Sequence, residues 1–335
     1  MKAMTYHTYG GPEVVTLADV PKPVPKQNEV LIRIRATTVS SGDWRALSLS
    51  MPAGFRLLGR LVFGITGPRQ PILGTELSGI VEEVGAAVSR FRVGDEVMAF
   101  AGGRYGCHAE YRTMAEDGLI ALKPANLSFE ESASLGFGGA TALPFLRDKA
   151  KIKPGEHVLV VGASGAVGVA AVQVAKYFGA TVTGVCSTAN VGTVTAIGAD
   201  EVIDYKRVDF AETGRTWDII LDTTGTVSYA RCENSLRPGG RLVAVQTTLQ
   251  QAIGFDKPRK GSGHKIIGGV PKITAEDFRF IAQLAADGDL KPVIDRTYRL
   301  EEASKAHALV GSGHKRGSVV LTVAPSLVPA ALGAV

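Results

Sequence analysis

The first third of the chain alternates apolar and polar positions, whereas the middle third carries short, uninterrupted apolar runs. Val30 to Arg35 alternates, Ile80 to Val84 follows it, and Gly94-Asp95-Glu96 separates Phe91-Arg92-Val93 from Val97 to Phe100. Short strands of period two with glycine turns predict a compact β-barrel. Residues 48 to 72 mix Phe55, Leu57, Leu58, Leu61, Val62 and Phe63 with prolines and glycines, a stretch too interrupted for a long helix. It reads as an apolar substrate wall or as a partner or membrane-surface contact, with Arg56, Arg60 and Arg69 at its edge.

The pattern changes at Leu127. Ser128 with Glu131 three residues on predicts a capped helix start. Then come apolar runs at Val158–Val161, Thr181–Cys186, Glu201–Ile203, Asp218–Asp222 and Arg241–Val245, with a helix expected from Tyr229 to Leu236. Strands alternating with helices imply a parallel sheet covered on both faces. Further on, helices are expected over 276–287 and 301–309 and strands over 293–298 and 318–323. The last two strands are expected to rejoin the first domain, and residues 325 to 335 to form a loose tail. The fold class is therefore α/β, a Rossmann-type doubly wound sheet plus a β-barrel domain.

The first run breaks into Gly162-Ala163-Ser164-Gly165-Ala166-Val167-Gly168, and a helical period follows as far as Phe178, with Gly179 placed for a left-handed cap. Strand, glycine turn and helix make a phosphate site, because backbone can approach the ligand and the helix N-terminus offers unpaired N–H groups. The turn is a variant of the dinucleotide fingerprint, with Ala163 in the first glycine position. An Asp or Glu at the end of the second strand would hold a ribose 2′-hydroxyl. This chain has Cys186-Ser187-Thr188-Ala189-Asn190 there, hydroxyls and an amide with no carboxylate, which favours NADP(H).

Composition narrows the setting. A chain of 335 residues with 45% apolar content suggests two domains with ample core. Polar residues follow Met1 at once and no apolar run has membrane-spanning length, so a cytoplasmic protein is expected. The three cysteines lack metal-site spacing. A net charge of +5 with its densest patch at Lys257 to Lys265 lacks interleaved aromatics, which argues against a nucleic-acid surface.

Several blocks in order resemble the medium-chain dehydrogenase/reductase superfamily, in its zinc-free quinone oxidoreductase (zeta-crystallin-like) branch. They are Gly74-Thr75-Glu76-Leu77-Ser78-Gly79, Phe91 to Val97, Leu127 to Glu131, Gly139 to Leu143, Gly162 to Gly168, Gly198 to Tyr205, Pro238-Gly239-Gly240 and Arg316 to Leu321. The resemblance implies a GroES-like catalytic domain over 1–126 completed by 289–324, a Rossmann NADP-binding domain over 127–288, and a homodimer. Zinc relatives place cysteine near position 41 and histidine near position 75, where this chain has Ser41 and Thr75, so no metal is expected. Without a Lewis acid, hydride transfer favours an acceptor already electron-poor, a quinone or an α,β-unsaturated carbonyl compound.

The same resemblance implies pyrophosphate on Ser164, Gly165, Ala166 and Val167, a 2′-phosphate near Ser187, Thr188, Asn190 and Tyr205, and Thr141, Thr223 and Val245 beside the cofactor. Lys206 and Arg207 stand where they can compensate for the Arg or Lys that NADP-binding relatives carry near position 190. Ser318 replaces a common lysine. Tyr105, between glycines at 102, 103 and 106, is the preferred proton donor, with a phenol pKa expected to fall beside a nicotinamide cation. Ser41, Asp43 and Trp44 face the nicotinamide side, although Asp43 also suits an Asx turn and Trp44 plain packing. Phe55, Leu58 and Phe63 are the expected substrate contacts. The alternatives are a zinc-free alcohol or aldehyde oxidoreductase and a non-catalytic NADPH-binding protein with a structural or peripheral membrane role.

Overall fold

The computed structural model describes residues 1–50, 56–246 and 256–323. Among them, strands form a six-stranded sheet, a seven-stranded sheet and a two-stranded ribbon that pairs Lys2–Thr5 with Thr16–Asp19. The six-stranded sheet is parallel throughout and runs Glu201–Asp204, Thr181–Cys186, His157–Val161, Trp217–Asp222, Leu236–Ala244, Lys265–Ile267. Strand order reverses between His157–Val161 and Trp217–Asp222, which opens a crevice at their carboxyl ends.

The seven-stranded sheet is the barrel. Its longest strand, Glu29–Val39, pairs along one side with Glu76–Val84. Along the other, its first half pairs with Tyr111–Ala115 and its second half with Ser318–Thr322. Ile294–Arg299 then lies parallel to Ser318–Thr322, with helix Ala303–Gly311 as the crossover. Both ends of the chain therefore build one sheet, as the strand pattern at 293–298 and 318–323 predicts.

Local chemistry explains the element boundaries. Ser128 accepts the Glu131 amide at 3.1 Å while the Glu131 carboxylate accepts the Ser128 amide at 2.8 Å, starting helix Phe129–Ala133. Thr274 and Asp277 repeat the device for Ala275–Ala286. Two expectations fail. Phe91–Val93 forms no strand, because Asp95 accepts the Arg92 amide at 3.0 Å and closes a turn there. The helix expected at 229–236 stops at Cys232, since Leu236 already pairs with Trp217 and begins a strand that bulges through Pro238-Gly239-Gly240.

An apolar cluster joins the two sheets. It runs from Met98 and Ala121 of the barrel through Leu135 and Leu143 to Val160 and Phe278. Each such large side chain, fully buried, contributes about 1.5–3 kcal/mol. The bridge between sheets is helix Gly136–Pro144, whose glycines let it pack tightly: a Cβ on Gly138 would lie 2.6 Å from the Ala166 carbonyl oxygen.

Candidate active site

The glycine turn stands at the mouth of the crevice. Gly162 has φ +80°, and a Cβ there would meet Thr223 Oγ1 at 2.6 Å. Gly168 lies under the turn, where a Cβ would come 2.1 Å from the Gly162 carbonyl oxygen. Gly165 differs. Its φ is an ordinary −79°, and the nearest atom to an added Cβ is 3.6 Å away, so no protein neighbour demands glycine there. Gly165 is also the N-cap of the twelve-residue helix Ala166–Tyr177, and no side chain caps that end. An open space above a helix N-terminus with uncapped N–H groups fits a pyrophosphate. Ser164, Ala166 and Val167 line the same turn, and the Ser164 carbonyl is held from behind by the Gly317 amide at 2.7 Å.

Among the residues expected to meet the adenosine, Ser187 and Ser164 hydroxyls both accept from the Asn190 amide, at 3.2 and 3.1 Å. Tyr205 is half exposed, with the Lys206 ammonium 5.3 Å from its ring centre. Thr188 is engaged elsewhere: its hydroxyl donates to Asp204 Oδ2 at 2.6 Å. The expectation that this end of the sheet carries no carboxylate is therefore corrected. The second strand supplies none, but register pairs Cys186 with Asp204 on the neighbouring strand, which delivers a carboxylate from the side. Arg207 Nε lies 3.5 Å from the same oxygen.

Of the residues expected beside the nicotinamide, Thr141 donates back to the Phe137 carbonyl at 2.8 Å within its helix, and Thr223 donates to the Val161 carbonyl at 2.8 Å. Val245 is half-buried against the shared core. Asp43 is fully buried and holds loop groups: Oδ2 accepts the Ser40 amide and hydroxyl at 2.7 and 2.6 Å, and Oδ1 accepts the Gly74 amide at 2.8 Å. Of the two roles expected for it, these bonds supply the loop-holding one, since all three serve the helix Ser41–Ser48 cap and the Gly74 turn. Trp44 packs on helix Ala303–Gly311, where a Cβ on Gly311 would touch its ring at 2.7 Å. Ser41 opens helix Ser41–Ser48 and is half-buried.

Tyr105 sits beneath the loop with φ +50°, its ring 6.4 Å from Phe63. Burial raises its phenol above the ordinary value, with Asp43 and Tyr6 adding to the shift and Arg45 opposing it. Burial thus works against the lowering expected beside a nicotinamide cation, and holds the phenol protonated. Phe63 closes helix Arg56–Phe63 and packs on the barrel core. Phe55 lies outside the described residues, as do the side chain of Leu58 and the tail at 325–335.

Sequence reasoning passed over Glu76. It is 1% exposed, accepts from the Thr38 hydroxyl and from the Phe137 amide, and burial pushes its carboxyl up to about 8. Lys315 faces the same region. Burial brings its amine down to about 8, Glu76 and Asp295 oppose that, and its ammonium donates to the Gly317 carbonyl at 2.6 Å. The signal for Glu76 was in the sequence, a carboxylate opening an apolar strand.

The Cys107-His108 pair is also structural. Burial pushes the Cys107 thiol up to about 12, away from nucleophilic thiolate, and Cys186 and Cys232 are free and buried too. His108 Nε2 lies 2.9 Å from the Thr38 carbonyl, and its ring meets His307 edge-on at 5.5 Å. Among the described residues, no three His, Cys, Asp or Glu side chains gather as a metal site. Burial lowers both imidazoles below 6.5, His307 furthest. The unfolded chain then takes protons first, so their contribution to stability holds above pH 6.5 and is lost as pH falls below it. His307→Leu is expected to lose less stability than the parent on acidification, read as a smaller drop in urea midpoint between about pH 7.5 and about pH 5.

Comparisons with known proteins agree with this geometry. Residues 26–124 match the alcohol dehydrogenase GroES-like domain, and residues 197–321 match the zinc-binding dehydrogenase domain. The quinone oxidoreductase of Sus scrofa is 33% identical over 96% of this chain and 97% of its own. The chloroplastic quinone-oxidoreductase homolog of Spinacia oleracea is 30% identical over 96% and 98%. The structure of the quinone oxidoreductase from Coxiella burnetii superposes with a TM-score of 0.83 at 30% identity, covering 97% of this chain and 99% of that one. With a parallel nucleotide sheet, a barrel made from both chain ends and relatives aligned along nearly its whole length, the chain belongs to the medium-chain dehydrogenase/reductase superfamily, in its quinone oxidoreductase branch.

Proposed function

We propose that this oxidoreductase is an NADPH-dependent reductase of quinones or α,β-unsaturated carbonyl compounds and works without zinc. The observation that carries the reading is the Gly165 turn, an uncapped helix end with open space where a side chain would otherwise fit. The bound dinucleotide supplies hydride. Backbone N–H groups at Ala166 and Val167 hold its pyrophosphate. Ser187, Asn190, Tyr205 and Lys206 meet the adenosine end, and Thr141, Thr223 and Val245 bound the nicotinamide end. Ser41 and Thr75 offer only hydroxyls where a zinc site needs thiolate or imidazole, which supports an electron-poor acceptor. Phe63 and Tyr105 form an aromatic wall for a flat conjugated substrate, and Tyr105, kept protonated by burial, is the assigned proton donor.

The test is oxidation of NADPH and NADH against a quinone, an enone, an alkenal and a simple aldehyde. Turnover confined to quinones or enones is the expected result. Simple-aldehyde turnover would move the reading to an alcohol or aldehyde oxidoreductase. In the same assay Tyr105→Phe is expected to lower kcat by about tenfold or more. A change under about twofold would assign the proton to solvent.

A second reading is favoured by one observation. Leu61, Val62 and Ile65 are 50, 60 and 59% exposed beside Arg60, a row suited to an anionic lipid surface. Sedimentation with anionic vesicles in the absence of any turnover would favour that role.

A further inference from the structure

The functional reading leaves unexplained why a carboxylate is brought to the ribose end of a site thought to take a 2′-phosphate. Asp204 is the last residue of strand Glu201–Asp204 and lies beside Cys186, the last residue of strand Thr181–Cys186. The ribose of a dinucleotide is met at that second strand end. The carboxylate is well anchored. Oδ2 accepts the Thr188 hydroxyl at 2.6 Å, Oδ1 accepts the Lys206 amide at 3.0 Å, and the side chain is only 11% exposed. The Thr188 bond chiefly holds Asp204 below the ordinary carboxylate range, so the group is ionised near neutral pH.

Its charge is incompletely offset. Arg207 approaches through Nε at 3.5 Å, but its side chain is 78% exposed and the exchange with water is easy. Lys206 turns its ammonium over the Tyr205 ring and away from a bond to Asp204. Beside the carboxylate opens a groove of about 660 Å³ whose lining includes the donors Thr188, Thr213, Arg207 and Arg215, the last of them paired with Glu201. Donors and a fixed anion therefore share one rim.

We infer that Asp204 is the coenzyme-selecting residue of this chain: it takes up the Thr188 hydroxyl and sets a negative charge beside the ribose, and so restrains the preference for a 2′-phosphorylated coenzyme over its unphosphorylated counterpart. This assignment rests on the proposed function and deepens it. A 2′-phosphate brings further negative charge, which Ser187 and Tyr205 hydroxyls, Lys206 and Arg207 attract and Asp204 repels. A ribose 2′-hydroxyl brings none and is nearly indifferent to the charge. Specificity here is a difference between two affinities, and Asp204 acts on only one of them.

The experiment is calorimetric titration of the purified chain with 2′,5′-ADP and with 5′-AMP, which needs no turnover. Asp204→Asn keeps an acceptor for Thr188 and removes the charge. It is expected to bind 2′,5′-ADP about tenfold more tightly, with 5′-AMP affinity within about twofold of the parent. Unchanged 5′-AMP affinity also reports that the variant is folded. Equal changes for both ligands, or no change for 2′,5′-ADP, would overturn the assignment. Thr188→Val provides a separate arm: under this assignment its hydroxyl serves Asp204, so 2′,5′-ADP binding is not weakened. A tenfold loss would show that Thr188 grips the phosphate itself and would also overturn it. If the parent chain binds neither fragment nor either full coenzyme, the functional reading falls, and the selector with it.

Discussion

Gly165→Val is expected to leave the fold intact and to weaken coenzyme binding by about a hundredfold or more, which is about 2.7 kcal/mol. A Cβ is accommodated here on the protein's own account, because φ is −79° and its nearest neighbour would be 3.6 Å away. Gly168→Val serves as the contrast, since its Cβ would come 2.1 Å from the Gly162 carbonyl oxygen and the turn itself must move. Fluorescence titration with NADPH and thermal melting separate the two: the first variant melts like the parent and does not bind, and the second melts early. A Gly165→Val chain with parental NADPH affinity would remove the phosphate role of the turn, and with it the central functional claim.

Glu76→Gln is expected to abolish a loss of stability that the parent suffers between about pH 4.5 and about pH 8. The folded chain keeps the Glu76 proton up to about 8, whereas the unfolded chain releases it near 4.5. Across that window the native state binds more protons, so stability falls as pH rises and levels off above it. The size is on the order of several kcal/mol, at about 1.4 kcal/mol per unit. Two other buried groups behave differently. The histidines lose stability on the acid side of 6.5, and Lys315, whose folded value is lowered, loses it as pH falls from 10.5 towards 8. Subtracting the variant's pH profile of urea midpoints from the parent's isolates Glu76. Glu76→Leu leaves the Phe137 amide and the Thr38 hydroxyl without their acceptor, at about 1–3 kcal/mol each, and is expected to be less stable than the parent near pH 4.5, where Glu76 keeps its proton in the fold.

Much of the architecture was legible because its signals are local. The apolar run at His157–Val161, the capping pair Ser128 and Glu131 and the C-terminal glycine Gly179 each announce an element from within a few residues. One failure was local, the Asp95 turn that replaced a strand at Phe91–Val93, and the other was decided by a distant partner. Leu236 became strand because Trp217 paired with it, overriding a helical pattern. The same holds for the site. The glycine turn is written in Gly162, Gly165 and Gly168 at steps of three, but the Thr188–Asp204 bond depends on strand register, and Glu76 gains its character from burial against Thr38 and Phe137. The cap role of Asp43 was legible within Ser40 to Asp43, but its bond to the Gly74 amide was not, because that amide comes from another part of the chain.

The Gly317 amide on the Ser164 carbonyl has a consequence for how this protein is made. A ribosome that has released every strand of the nucleotide sheet has still not delivered the residue that backs the phosphate turn, nor Ser318–Thr322, which pairs with the second half of Glu29–Val39. Those contacts have a very large sequence separation, so their loop-closure entropy is met only after residues 317–322 have emerged. Until then the barrel lacks one of its strands and the glycine turn lacks the amide that backs it.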